Sequence, residues 1–369
     1  MVLNLKIGIV GLPNVGKSTL FNALTNAGAL AANYPFATIE PNIGIVPVPD
    51  DRLEVLAKMY ETNKIVPATV EFVDIAGLVQ GASKGEGLGN KFLAHIRECQ
   101  AICHVVRAFK NDDIVRADNK PEDDIIKQAK DDIDIINLEL QLADEETKAK
   151  IEAKRKKDPA DEFVPYLTDK PVIYMFNVDE QGLTDKNLQQ ELTKMVRGIH
   201  ESHPFVSARD NGSERRSAAH NDGPARGGEQ KDDSVNPQTI FVNAKLEEEM
   251  SGMSREERKE FLKSYGVKHD ALEELIKAAY KTLGLQSFLT AGKKECRAWT
   301  IKKGSTAPEA AGTIHTDFER GFIAASICNY DDLKKYGSEK AVREAGKLRL
   351  EGKTYIMQDG DVVEFKFNV

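Results

Sequence analysis

Along the first half of the chain, short apolar runs alternate with longer stretches of helical period. Leu5–Val10, Thr69–Val73, Ile102–Val106, Val172–Phe176 and Ile240–Asn243 read as strands. Several are apolar throughout, as expected of parallel strands covered on both faces. Helical patterns between them imply right-handed crossovers and an α/β, doubly wound parallel sheet. Ligands of such sheets bind beyond the carboxyl ends of the strands, so the loops that follow these runs are where chemistry is sought.

Three segments depart from that alternation. Ile126, Ala129, Ile133, Ile136, Leu140 and Ala143 are spaced alternately three and four apart, a helical seam. Either one long helix packs on the sheet, or residues 112–168 form an inserted helical arm. The length exceeds a simple crossover and favours the arm. Ser207–Pro237 is rich in Gly, Ser, Asn and charge and poor in large apolar residues, so it is expected to be disordered. Beyond residues 1–283, residues 284–369 read as a small α+β module. A strand in "ECRAWTIKKG" and a short helix around Asp331–Tyr336 lead to closing strands in "KTYIMQDGDVVEFKFNV". The turn Gln358–Asp361 is expected to join those strands as a hairpin.

Composition narrows the classes. At 369 residues the chain has room for two or three domains, and 41% hydrophobic with 30% charged residues is ordinary for a soluble protein. No apolar run approaches the ~20 residues of a membrane helix. "MVLNLKIGIV" lacks a signal-peptide layout, so a cytoplasmic protein without membrane contact is expected. The four cysteines show no CxxC pairing and read as reduced, buried thiols without a zinc site. A net charge of −8 argues against whole-surface attraction to nucleic acid. A local patch at Lys293, Lys294, Arg297, Lys302 and Lys303 remains, read either as a phosphate-contacting surface or as a solvated strand edge.

"GLPNVGKST" fits G-x-x-x-x-G-K-[ST] after a strand and before a helix. Gly11 and Gly16 let the amides of Asn14, Val15, Gly16, Lys17, Ser18 and Thr19 wrap phosphates at a helix N-terminus. Lys17 is placed to reach the β- and γ-phosphates, and the Ser18 hydroxyl to bind Mg²⁺. In "VEFVDIAGL", Asp74 ends a strand and can hold the Mg²⁺ shell, while the Gly77 amide senses the γ-phosphate. In "NYPFATIEPN", Thr38 is the residue to close over Mg²⁺. Leu78 stands where a glutamine would orient the attacking water, so unaided turnover is expected to be slow, below about 0.1 s⁻¹.

These motifs, with "EFVDIAGLVQGASKGEGLGNKFLAHIRE", "NVDE" and the C-terminal "AWTIKKG…APEAAGTIHTDFERGFI", resemble the YchF family of Obg-related P-loop NTPases along nearly the whole chain. The resemblance implies a nucleotide domain, a helical arm and a C-terminal TGS domain of β-grasp fold. It also implies preference for ATP over GTP and association with ribosomes or a similar RNA–protein assembly. Nothing in the sequence calls for more than a monomer. The motif "FNVDE" agrees with the ATP preference. A guanine reader uses an Asp carboxylate to accept from guanine N–H groups, and Glu180 carries its carboxylate one methylene further. Lost charge-assisted bonds cost roughly 1.5–3 kcal/mol each. Asn177 is left to bond the purine edge and Val178 to pack on its plane. By its family context "FVNAK" contributes Asn243 and Ala244, followed by Lys245, to the base-flanking loop, in preference to "FVSAR". Asn14 has two readings, a K⁺ ligand beside the phosphates as in some P-loop GTPases, or a residue that shapes the loop.

Relative to the family, the arm is short, and Arg116 replaces the usual histidine of a mobile loop. Arg116 reads as a transition-state cation or as a solvated arginine. Three function classes follow: a slow regulatory ATPase, an Obg-class GTPase of ribosome assembly, and a nucleotide-binding scaffold with little catalysis.

Overall fold

The computed structural model describes residues 5–31, 42–75, 88–110, 124–155, 165–202 and 237–368. Thr38, Gly77, Leu78, Arg116 and the Ser207–Asn236 part of the expected disordered stretch lie outside those residues. The contacts divide the chain into two units. One is built from Ile7–Ala23 and Val73–Ala271, and the other includes Leu24–Phe72 and Leu272–Val369.

A six-stranded sheet carries the first pattern. Its strands are β1 (Lys6–Val10), β2 (Ile43–Pro47), β4 (Thr69–Asp74), β5 (Ala101–Ala108), β6 (Val172–Val178) and β7 (Gln238–Val242), in the order β2-β4-β1-β5-β6-β7. β1, β5, β6 and β7 pair in parallel, with Ile9 opposite Cys103, Val105 opposite Met175 and Asn177 opposite Val242. Every residue of β5 is buried, including His104 and Arg107, which interrupt its otherwise apolar run. The helix α1 (Lys17–Ala31) follows β1, and α3 (Leu88–Glu98) precedes β5.

The seam residues lie on α4 (Ile125–Arg155), a single 31-residue helix. Ala129 and Ile133 join Val106, Tyr174 and Phe176 in one core cluster with Leu192 and Val196 of α5 (Lys186–Ser202). The described part of the segment read as an arm therefore packs its first half on the sheet as a crossover helix does.

A second six-stranded sheet has the order β11-β10-β12-β8-β9-β3. Its strands are β3 (Ile65–Val66), β8 (Leu285–Ala291), β9 (Cys296–Lys302), β10 (Phe322–Asn329), β11 (Arg349–Glu351) and β12 (Asp361–Phe367). β12 runs antiparallel to β10 and parallel to β8, a mixed sheet of β-grasp type. Phe288, Ile301, Ala325, Val363 and Phe365 build its core against Ala307, Ala310 and Ala311 of a covering helix. The expected closing hairpin is absent: Tyr355 and Met357 bond to Ala307 and Ser305 instead, and β12 finds its partners in β10 and β8. The Gln358–Asp361 turn thus redirects the chain between neighbours without pairing its own flanks.

Two elements of this sheet's unit come from far upstream. Between β2 and β4 the chain leaves and returns, its base closed by the Val48 amide on the Ala68 carbonyl at 2.8 Å. The excursion contains α2 (Asp51–Met59), capped by Asp50, whose Leu53, Leu56 and Ala57 are buried. β3 then adds to the sheet edge, with Ile65 opposite Cys296 and Val66 opposite Arg297.

Candidate functional site

The first motif is built as a cradle. After β1 the chain turns at Gly11, where a Cβ would lie 2.4 Å from the Val105 carbonyl oxygen. At Gly16, with φ 99°, a Cβ would lie 2.6 Å from the Asn177 amide nitrogen. Both positions admit only glycine. Asn14 takes the left-handed conformation at φ 63°, which asparagine tolerates better than most residues. α1 starts at Lys17, so its unbonded N-terminal amides face the cradle.

Lys17 is buried, and its ammonium donates to the Leu12 carbonyl at 2.7 Å. Burial pushes the amine down to about 8, opposed by the carboxylate of Asp74. The Ser18 hydroxyl lies 3.4 Å from Asp74 Oδ2. Asp74 Oδ1 is buried and has no hydrogen-bond partner among the described residues. A buried carboxylate oxygen in that state leaves an uncompensated desolvation cost, which a hard cation would remove. The oxygen donors of Ser18 and Asp74 fit Mg²⁺. Among the described residues no group of three His, Cys, Asp or Glu side chains offers another metal site.

Beyond the phosphate cradle a cavity of about 880 Å³ opens, lined on one side by Asn14, Gly16, Lys17, Ser18 and Thr19. Asn177, Val178, Glu180, Asn243 and Ala244 line the other side, together with Phe109 and Lys110. Asn177 is committed to the framework. Its Nδ2 donates to the Val15 carbonyl at 3.0 Å, and its Oδ1 accepts from the Ala244 amide at 3.0 Å. It therefore ties the phosphate loop to the base-flanking loop, with one amide hydrogen left for other work. The side chain of Val15 is itself buried.

Val178 is 1% exposed and packs in the core cluster with Val106 and Phe176, so it floors the cavity and offers little face to a ligand. Asp179 accepts from the Gly182 amide at 2.8 Å and shapes the turn, leaving Glu180 exposed at the rim. Asn243 caps the helix α6 (Ala244–Glu249) by accepting from the Leu246 amide at 2.9 Å. Phe109 and Lys110 were not singled out in the sequence. Their only signal there was position, directly after a strand at the ligand end of the sheet.

Behind α6 lies a buried charge cluster. Arg258, on α7 (Arg255–Ser264), bonds Glu247 at 2.7 Å and Asp270 at 2.8 Å. Burial, helped by Asp270, pushes the Glu247 carboxyl up to about 7 against the pull of Arg258. His104, inside β5, is pushed down to about 3 by burial and by Lys17, so it is a neutral core residue beside Tyr174.

Comparison with known proteins adds the lineage. A family model described as a 50S ribosome-binding GTPase matches residues 6–142. The YchF-type GTPase C-terminal model, described as a protein of unknown function (DUF933), matches residues 285–368. The ribosome-binding ATPase YchF of Bacillus subtilis is 48% identical, covering 99% of this chain and all of that one. The chain belongs to the YchF family. The YchF of Escherichia coli O157:H7 is 43% identical over the full length of both chains. The Bacillus alignment spans 403 positions, more than the 369 residues here, so that YchF carries residues this one lacks. The solved YchF GTPase of Schizosaccharomyces pombe is 35% identical, covers 98% of both chains and superposes with a TM-score of 0.74. A GTP-binding protein of Pyrococcus horikoshii shares the fold, with a TM-score of 0.56 at 18% identity. The P-loop NTPase fold and the β-grasp-like C-terminal sheet are those of a YchF protein.

Proposed function

We propose that this YchF protein is a ribosome-associated, Mg²⁺-dependent ATPase that hydrolyses ATP slowly, in preference to GTP, and acts as a nucleotide-dependent regulatory switch. The observation that carries the base preference is the Asn177–Val178–Asp179–Glu180 loop at the cavity. Asp179 is spent on its turn and Asn177 on the framework. The carboxylate that remains, Glu180, is one methylene longer than a guanine reader's. Adenine has no paired N–H donors facing that place and loses nothing by its absence.

The chain's own groups then have defined tasks. The amides of Asn14 to Thr19 bind phosphate oxygens, and Lys17 exchanges the Leu12 carbonyl for the β- and γ-phosphates. Ser18 and Thr38 hold Mg²⁺, with Asp74 orienting the shell and the Gly77 amide reading the γ-phosphate. Held by those residues, Mg²⁺ would supply neutralisation of the charge that builds on the transferring phosphoryl group. Leu78 cannot position water, which makes turnover slow and dependent on Arg116, K⁺ beside Asn14, or a partner. The curated relatives are named ribosome-binding ATPases. Lys293, Lys294, Arg297, Lys302 and Lys303 of the TGS-like module, with the α4 segment, are the surfaces offered to the ribosome. A soluble, cytoplasmic monomer fits this role, and no helix among the described residues is long and apolar enough to cross a membrane.

A GTPase is the second reading, because the fission-yeast relative is a YchF GTPase by name. Phosphate release from ATP and GTP, and co-sedimentation with ribosomes in a non-hydrolysable ATP analogue or ADP, test the proposal. Faster release from ATP and binding that differs between the two nucleotides are expected. Equal binding in both states, or GTP as the better substrate, contradicts it.

A further inference from the structure

A buried arginine contacts one of the residues that line the cavity. Arg107 is 5% exposed and sits one residue before the end of β5. It lies in register with Asn177, so both side chains leave the same face of the sheet. Its Nε donates to the Phe109 carbonyl at 3.3 Å, and its guanidinium carbon stands 4.6 Å from the centroid of the Phe109 ring. One contact fixes the main chain of the loop after β5 and the other fixes the ring. Phe109 is the sole aromatic among the described residues that line the nucleotide cavity. With Val178 sunk in the core, it is also the apolar side chain best placed to cover a flat base. A cation on one face of the ring leaves the opposite face for a planar ligand.

We propose that Arg107 is a positioning residue for the nucleobase: it holds Phe109, by ring and by carbonyl, where the ring stacks on the purine. This rests on reading the cavity as the base pocket. Base–aromatic stacking is sequence-tolerant, so Arg107 and Phe109 supply affinity for any purine while selection stays with the Glu180 loop. Arg107 reaches the cavity through Phe109 and is not among the residues that line it, so its loss should be felt by ligands that carry a base and ignored by those that do not.

The test compares Mg·ATP with Mg·tripolyphosphate, which keeps the phosphates and lacks the base. Binding is measured to the wild type, Arg107→Met, Phe109→Leu and the double variant, with Arg107→Lys as a milder change should the methionine variant not fold. Arg107→Met is expected to weaken ATP binding roughly three- to tenfold and to leave tripolyphosphate binding unchanged. The double variant is expected to be no weaker than the worse single one, because both changes remove the same stack. Equal loss for both ligands would overturn the proposal, since it would place Arg107 in phosphate binding or in the fold at large. Additive losses would overturn it as well. If Phe109→Leu lowers ATP binding selectively while Arg107→Met or Arg107→Lys does not, the positioning role fails and the base pocket stands. If neither variant changes the ratio of the two affinities, the base-pocket reading falls and the inference falls with it.

Discussion

Arg52 on α2 donates to Asp359 at 2.8 Å, joining residues 307 positions apart in the sequence. The same guanidinium holds Asp50 through Nε and Nη2, both at 2.8 Å, while the second oxygen of Asp359 accepts from the Ser287 amide. Gly360 follows in the left-handed conformation at φ 82°, which glycine adopts without strain. Lys64 adds an ion pair to Glu295 at 2.6 Å where β3 joins the sheet. The excursion between β2 and β4 is thus part of the body that residues 284–369 build.

The isolated fragment 284–369 is therefore expected to be less stable than its own core suggests, because it lacks α2 and β3. Circular dichroism melts and binding of a hydrophobic dye, with and without residues 48–68 supplied on the same chain, measure this. A cooperative, dye-free fragment would show that the excursion is dispensable. In the full chain, Arg52→Leu should cost about 1–2 kcal/mol, a modest figure because Asp359 is half exposed and exposed pairs are weak.

Asn177 gives a prediction of a different kind. Asn177→Asp keeps the acceptor for the Ala244 amide but sets a carboxylate oxygen against the Val15 carbonyl, 3.0 Å from the present nitrogen. Losing a buried hydrogen bond costs about 1–3 kcal/mol. Affinity for ATP and for tripolyphosphate should fall together, roughly tenfold, because the damage lies in the cradle. A loss confined to ATP would mean that Asn177 reads the base directly.

Lys17 makes binding depend on pH. In the nucleotide-free protein its amine is pushed down to about 8 from an ordinary 10.5. Between those values the unfolded chain holds the proton and the folded one does not, so this group makes stability rise with pH across that window. Phosphates favour the ammonium form, so ATP binding above pH 8 takes up a proton and weakens as pH rises. Calorimetry in two buffers of different ionisation enthalpy detects the uptake, and a binding heat independent of buffer at pH 9 would contradict it.

Arg258 carries the support of α6. Its removal leaves Glu247 and Asp270 facing each other in a buried site, so Arg258→Met should destabilise the fold by roughly 3–5 kcal/mol. Denaturant unfolding measures it, and a loss below 1 kcal/mol would show that the cluster is solvated in solution.

How much of this was legible in the sequence follows from the physics of each element. The five strands were readable from short apolar or alternating runs, unbroken in Val172–Phe176 of β6, where Ile173 to Phe176 are all buried. The phosphate loop was readable because its glycines answer to close approaches that no other residue survives. β3 was not, since two residues carry no periodicity and their pairing partner lies more than two hundred positions away. The Gln358–Asp361 turn misled because local turn chemistry cannot say which strand the flanks will join. Asn177 and Asn243 were placed at the site, but their tasks, a tie between loops and a helix cap, depend on partners visible only in three dimensions. Arg107 carried no signal beyond sitting at the end of a strand.

The central claim is that the Glu180 loop selects adenine. Titration of fluorescent ATP and GTP analogues with Mg²⁺, in K⁺ and Na⁺ buffers, against the wild type and Glu180→Asp, tests it most directly. The wild type should bind ATP at least severalfold tighter, and the variant should gain roughly tenfold in GTP affinity, the worth of one charge-assisted bond. Tighter binding of GTP by the wild type, or a variant whose preference does not move, would place base selection elsewhere and make the protein a GTPase of the same fold.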